Sequence, residues 1–205
     1  MSLYLSRLVL NPHSRQVQSE LRDPYQMHRT LSRAFGDDPR LYRDARCLFR
    51  VDEDACPEGP CVLVQSRSRP DLSRLQSIDS YLASEPQSKE LTPSFRVGQK
   101  LQFRLRANPT VKRDGRRLGL YAVEEQEQWL ERKARAGGFR VLFVRIRREE
   151  KLSSRTGERQ AVFAAARFDG VLVVIDPDLL VKTIESGIGS AKGFGFGLLS
   201  VAPAR

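Results

Sequence analysis

Tyr25 and His28 stand three residues apart in "DPYQMHRTLSRAF", and no other pair in this 205-residue chain is as well suited to acid–base chemistry. Imidazole is the side chain whose unperturbed pKa lies nearest neutrality. A positioned histidine can therefore take a proton from an attacking hydroxyl or give one to a leaving oxygen, as in phosphodiester cleavage. A phenol beside it can orient that hydroxyl or the scissile phosphate, and Arg29 can stabilise the charge that develops there. The alternative is a surface helix carrying a tyrosine and a histidine without chemistry. The only other histidine is His13, and no carboxylate cluster for two metals or nameable Ser/His/Asp set accompanies the pair. Cys47, Cys56 and Cys61 have no CxxC spacing and no histidine nearby, so they read as buried or incidental thiols in a reducing compartment. No metal or cofactor is expected.

The pair needs a helix to hold it. Asp23 reads as the N-cap, Pro24 as the first helical residue, and Gln26 completes a capping-box-like D-x-x-Q. Met27, Leu31, Ala34 and Phe35 form the buried stripe, leaving Tyr25 and His28 together off its centre, with His28 bordering Phe35. A strand, "SLYLSRLVL", precedes this helix, and "ARCLFRV" and "CVLVQSR" follow it. Residues 70–94 carry only a weak helical pattern and read as the remaining first-domain elements plus a linker.

The second half opens with "QKLQFRLRA", in which Leu101, Phe103 and Leu105 alternate with Gln102, Arg104 and Arg106, a half-buried strand with one basic face. Next comes the helix "VEEQEQWLERKARAGG", acidic at its start, basic at its end and closed by Gly137. Then follow the strands "FRVLFVRIR", "QAVFAAARF" and "GVLVVI", with a split at 168–170, a helix capped by Asp176 and Pro177, and a last strand. The order β-α-β-β-α-β is a ferredoxin-like unit. The expected fold is α+β, two tandem ferredoxin-like (RRM-like) βαββαβ domains over residues 1–92 and 93–205.

The net charge of +10 points to a polyanion, and residues 101–160 hold 16 Lys/Arg against 8 Asp/Glu. An acidic lipid surface would call for an amphipathic helix with large apolar residues beside these clusters, and none is seen. The outward positions of the 101–107 strand carry no aromatic residue, so base stacking on the sheet is not expected, and the basic connections are the better RNA contacts. These are "KRDGRR" (Lys112, Arg113, Arg116, Arg117) and a hairpin over 145–160 (Lys151, Arg155, Arg159), with Arg22 and Arg29 beside the Tyr/His pair. "GIGSAKGFGFGLLSV" adds Gly187, Gly189, Gly193, Gly195 and Gly197. It fits neither a P-loop nor a G-x-G-x-x-G fingerprint, and it follows a helix where both motifs precede one, so a nucleotide cofactor is not expected. The chain has no apolar run long enough to span a bilayer, and its start lacks a basic n-region and a cleavage site. A cytoplasmic protein, monomeric when free, is expected.

Taken together, "LSRLVLNP", "DPYQMHRTL", "GQKLQFRLRANPTVK", "GGFRVL" and "GIGSAKGFGFGLLSVAP" resemble the CRISPR RNA-processing endoribonuclease subunits of type I-E Cascade complexes, nearly end to end. The resemblance implies metal-independent cleavage of CRISPR repeat stem-loops in precursor RNA. The 2′-hydroxyl would attack, leaving a 2′,3′-cyclic phosphate and a 5′-hydroxyl. It places the catalytic pair on His28 and Tyr25, the glycine-rich loop on residues 187–197 with Lys192 as its cation, and a stem-gripping basic hairpin on 145–160. Partners would be the repeat hairpin, the mature crRNA retained after cleavage, and other Cascade subunits. Two other readings stay open: a structured-RNA-binding protein of this fold without catalysis, and a ribonucleoprotein component whose basic surface merely packs RNA.

Overall fold

Aspartate–proline pairs set two helix starts in the first half of the chain. The computed structural model describes residues 2–204 except 54, 150, 151, 157 and 158, with side chains at 152, 154–156, 159 and 160 also outside the described set. Strand β1 (Leu3–Val9) leads into helices α1 (Arg15–Arg22), α2 (Pro24–Ser32) and α3 (Pro39–Asp44). Asp23 Oδ1 accepts from the Tyr25 backbone N–H at 3.1 Å, and Asp38 Oδ1 from that of Arg40 at 2.9 Å. In both helices proline takes the first position, where its missing N–H costs nothing. Gln26 Oε1 accepts from Arg29 at 3.3 Å. Strands β2 (Leu48–Asp52) and β3 (Cys61–Ser66), the single-turn α4 (Ser73–Gln76) and β4 (Gln87–Leu91) complete this part.

The sheet runs β2-β3-β1-β4, antiparallel throughout. Its core joins Leu8, Val62 and Val64 from the strands to Val17, Met27 and Leu31 from the helices, with Leu10 just past β1 and Ala34 in the turn after α2. The buried Glu20 carboxylate ties α1 to its surroundings, accepting from Thr30 Oγ1 at 2.6 Å, Gln16 Nε2 at 2.8 Å and Tyr81 Oη at 2.7 Å. Its lone pairs are thereby satisfied, which is the condition for burying a carboxylate at all.

The second half contains β5 (Lys100–Ala107), the hairpin β6 (Thr110–Arg113) and β7 (Arg116–Gly119), α5 (Val123–Ala136), and β8 (Phe139–Arg148). It continues with β9 (Leu152–Thr156), β10 (Arg159–Phe163), β11 (Ala166–Val174), α6 (Pro177–Ser186) and β12 (Leu199–Pro203). Its main sheet runs β12-β5-β11-β8. Counting each half's four sheet strands in chain order, both sheets are arranged 4-1-3-2, the ferredoxin-like order. The fold is tandem ferredoxin-like, as the element pattern predicts. One compact unit comprises Met1–Thr92, Ser153–Ala161 and Gly193–Gly195; the other comprises Pro93–Leu152, Val162–Lys192 and Phe196–Arg205.

Four expectations need correction. Strand β11 is continuous through 168–170 and the break falls at Ala164–Ala165. Gly170 sits inside the strand because a Cβ there would collide with the Phe143 carbonyl oxygen, so glycine marks close backbone approach. The 112–117 segment is a two-stranded hairpin turning on Asp114 and Gly115, both at positive φ (48° and 75°), as a primed turn requires. Residues 145–148 belong to β8, so the basic hairpin is the shorter β9–β10 pair. Helices α1 and α3 were not read from sequence, since α1 buries only Val17 and Glu20 and α3 buries no residue.

Candidate active site

Helix α2 holds Tyr25 and His28 on one side, both half-buried, with their rings stacked at a centroid distance of 6.4 Å and an interplanar angle of 11°. The three-residue spacing on a helix produces this overlap. Met27 and Leu31 fill the core at 1% exposure each and anchor the helix.

The sequence missed Tyr42. Helix α3 sets its ring edge-on to His28 at 4.6 Å and to Phe35 at 5.5 Å, so Tyr42 covers the imidazole and links it to Phe35. Its hydroxyl lies 3.2 Å from His28 Nδ1. Burial, together with the neighbouring Cys47, pushes the Tyr42 phenol far above its ordinary pKa, so it stays protonated at any working pH. One signal was available: Asp38-Pro39 repeats the Asp23-Pro24 cap and marks a second helix start.

Gly193 closes on the same edge of the ring. A Cβ at Gly193 would lie 3.4 Å from Nδ1 and 3.5 Å from Cε1, ordinary contact distances, so the backbone here lies directly beside the imidazole. Desolvation holds the His28 pKa below the ordinary histidine value, and a hydrogen bond to the Gly193 backbone opposes it only in part. The neutral imidazole is thus the resident form near pH 7.

The remaining sequence-derived residues are spread more widely. Arg29 is exposed and lines a groove between α1 and α2 with Gln26 and Arg33, while Arg22 ends α1 and is also exposed. Lys112 faces Arg117 and Arg113 faces Arg116 across the β6–β7 hairpin, all four exposed. Like charges directly opposite destabilise a ladder, so an anion at this tip would relieve the strain. Lys151 and the side chains of Arg155 and Arg159 lie outside the described residues. Lys192 Nζ donates to the Ser186 carbonyl at the end of α6, at 2.5 Å.

Of the loop glycines, Gly187, Gly189, Gly195 and Gly197 have positive φ. At Gly197 (φ 91°) a Cβ would meet the Ile188 carbonyl oxygen at 2.9 Å, while its own N–H donates to the Arg106 carbonyl at 2.8 Å. The loop is thus packed by its own backbone. Among the described residues, no group of three or more His, Cys, Asp or Glu is placed to hold a metal ion, and no helix is long and apolar enough to cross a membrane.

The chain matches the family described as CRISPR associated protein over residues 3–203. It is 39% identical over 217 residues to the CRISPR-associated endoribonuclease Cse3 of Thermus thermophilus, covering 98% of this chain and 100% of that protein. It is 32% identical over 214 residues to the Cascade subunit CasE of Escherichia coli, covering 98% of this chain and 100% of that one. Thermus thermophilus Cse3 bound to an RNA representing a pre-cleavage complex superposes with a TM-score of 0.89 at 38% identity, over 99% of this chain and 100% of that chain.

Proposed function

The chain belongs to the CRISPR-associated protein family, and on that premise we propose that it is a metal-independent endoribonuclease that cleaves CRISPR repeat stem-loops in precursor RNA. The carrying observation is a half-buried, neutral imidazole stacked beside a phenol and braced at Nδ1 by the Tyr42 hydroxyl. That is the form a general base needs. His28 takes the proton of the 2′-hydroxyl as its oxygen attacks the adjacent phosphorus; the bond to the 5′-oxygen breaks, and that oxygen takes up a proton, returned from the His28 imidazolium directly or through water, giving a 2′,3′-cyclic phosphate and a 5′-hydroxyl. Tyr25 orients the hydroxyl or the phosphate from the neighbouring turn.

The β6–β7 hairpin (Lys112, Arg113, Arg116, Arg117), Arg22, Arg29 and the basic residues of the β9–β10 segment grip the stem's phosphates. The name of CasE, a Cascade subunit, supports assembly of this chain into a Cascade complex, where the cleaved product would stay bound.

The test is cleavage of the cognate repeat hairpin in excess EDTA, beside an RNA with a single 2′-deoxy substitution upstream of the cut. Cleavage of the first and protection of the second is the expected result. His28→Ala should then retain hairpin binding and lose about 10²–10⁴-fold in rate, roughly 3–5 kcal/mol of transition-state stabilisation. A tightly bound but uncut hairpin overturns the enzyme reading and leaves a carrier of structured RNA.

A further inference from the structure

The register of β8 slips by one residue against β11, between Val171 and Leu172. Upstream of the slip, Phe139 is buried and Val141 pairs with the fully buried Leu172. Strict alternation would carry Phe143, Arg145 and Arg147 onto that same inner face. The slip reverses the phase: Phe143 pairs with Val171, Arg145 with Asp169 and Arg147 with Arg167, while Ile146 pairs with the buried Phe168. A bulge of this kind re-aims side chains. Here it turns one aromatic ring and two guanidinium groups to the open face of the sheet, so the absence of an outward aromatic read from the 101–107 strand does not extend to β8.

That face is ordered. Neighbouring strands contribute Gln102 and Arg104 from β5, Arg167 and Asp169 from β11, and Ser200 from β12, around a groove of about 560 Å3. Asp169 accepts a hydrogen bond from Arg104 Nε at 2.5 Å and forms an ion pair with Arg167, whose Nε lies 3.2 Å away. Arg145 and Arg147 are exposed, and Phe143 is 60% exposed at the groove's edge. Four arginines around one carboxylate give the groove a positive balance. An exposed ring beside phosphate-binding guanidiniums is the combination that holds unpaired nucleotides, the bases stacking and the backbone tracking the charge.

We propose that this open face is a second RNA-binding surface, specific for single-stranded RNA and separate from the residues that grip the stem. The choice of RNA over an acidic protein rests on the ring and on the endoribonuclease reading above. In the precursor, the occupant would be the unpaired strand flanking the repeat hairpin.

The probe is a short fluorescein-labelled oligouridylate, which has no stem, titrated into the full-length protein by anisotropy at several salt concentrations. Phe143→Ala should weaken binding about tenfold, the effect of losing one stacked base. Arg145→Gln with Arg147→Gln should reduce the magnitude of the salt slope by about 1.4, since each phosphate contact on a single strand contributes ~0.7. Cleavage of a hairpin trimmed of its flanks should stay at the wild-type rate in Phe143→Ala. Wild-type affinity for oligouridylate in both variants overturns the proposal and turns the surface over to an acidic protein partner. Failure of the wild-type protein to cut the hairpin sinks the enzyme reading instead, and leaves the oligouridylate titration readable by itself.

Discussion

Replacing Tyr42 by Phe removes one oxygen and leaves the ring. The edge contacts at 4.6 Å to His28 and 5.5 Å to Phe35 remain, so the burial that lowers the His28 pKa remains with them. What disappears is the hydroxyl 3.2 Å from Nδ1, which holds the ring's orientation. Such a hydrogen bond is worth about 0.5–1.5 kcal/mol net. At 1.36 kcal/mol per factor of ten, the expected loss is ~2- to 13-fold in the rate of the chemical step. The assay is single-turnover cleavage of the repeat hairpin across pH, with affinity measured separately on the uncleavable 2′-deoxy RNA. Affinity should be unchanged and the acidic limb of the rate profile should stay in place. Tyr42→Ala behaves differently: it admits water to the imidazole and moves that limb upward, toward the ordinary histidine pKa of 6.5. A wild-type rate in Tyr42→Phe, or a matching loss of affinity, would refute the view that this hydroxyl positions His28.

Other expectations rest on single features. With a depressed His28 pKa and a base role, kcat/KM rises with pH through a value below 6.5 and is level above it; a rate that falls across that window assigns His28 the acid role instead. The same depression means that the unfolded chain binds this proton more readily. His28 therefore contributes its full stability above about pH 6.5 and loses it as pH falls through the folded value, seen as a falling Tm that His28→Gln partly abolishes. Arg113→Gln with Arg116→Gln should lower the salt slope of hairpin binding by about 2. It should not lower Tm, because the two charges face each other across the ladder. Gly197→Ala, at φ 91° and against the Ile188 carbonyl, should cost about 1–2 kcal/mol or more in thermal unfolding; an unchanged Tm would mean the loop can relax around a side chain.

Much of this protein is written in short-range sequence signals. Asp23-Pro24 and Asp176-Pro177 start their helices as read, because a cap needs only residues within one turn. Leu101, Phe103 and Leu105 alternate onto the buried face, at 2%, 5% and 0% exposure, because a strand's period is local geometry. The fourth strand of the first sheet, β4, was faint for the opposite reason: its residues are almost all exposed, so it carries no apolar alternation to read. Tyr25 and His28 could be singled out because three-residue spacing on a helix already makes them neighbours.

Tertiary structure decided what meets across the chain. Tyr42 reaches His28 from another helix, and Gly193 reaches it from a loop 165 residues downstream, so neither contact leaves a trace in local spacing. Phe143 reads as an inward residue until pairing with β11 shifts the register and turns it outward. Sequence alone set the helix carrying the imidazole. Packing between distant segments set its desolvation, its hydrogen-bond partner and the faces offered to RNA, because those depend on which surfaces exclude water together.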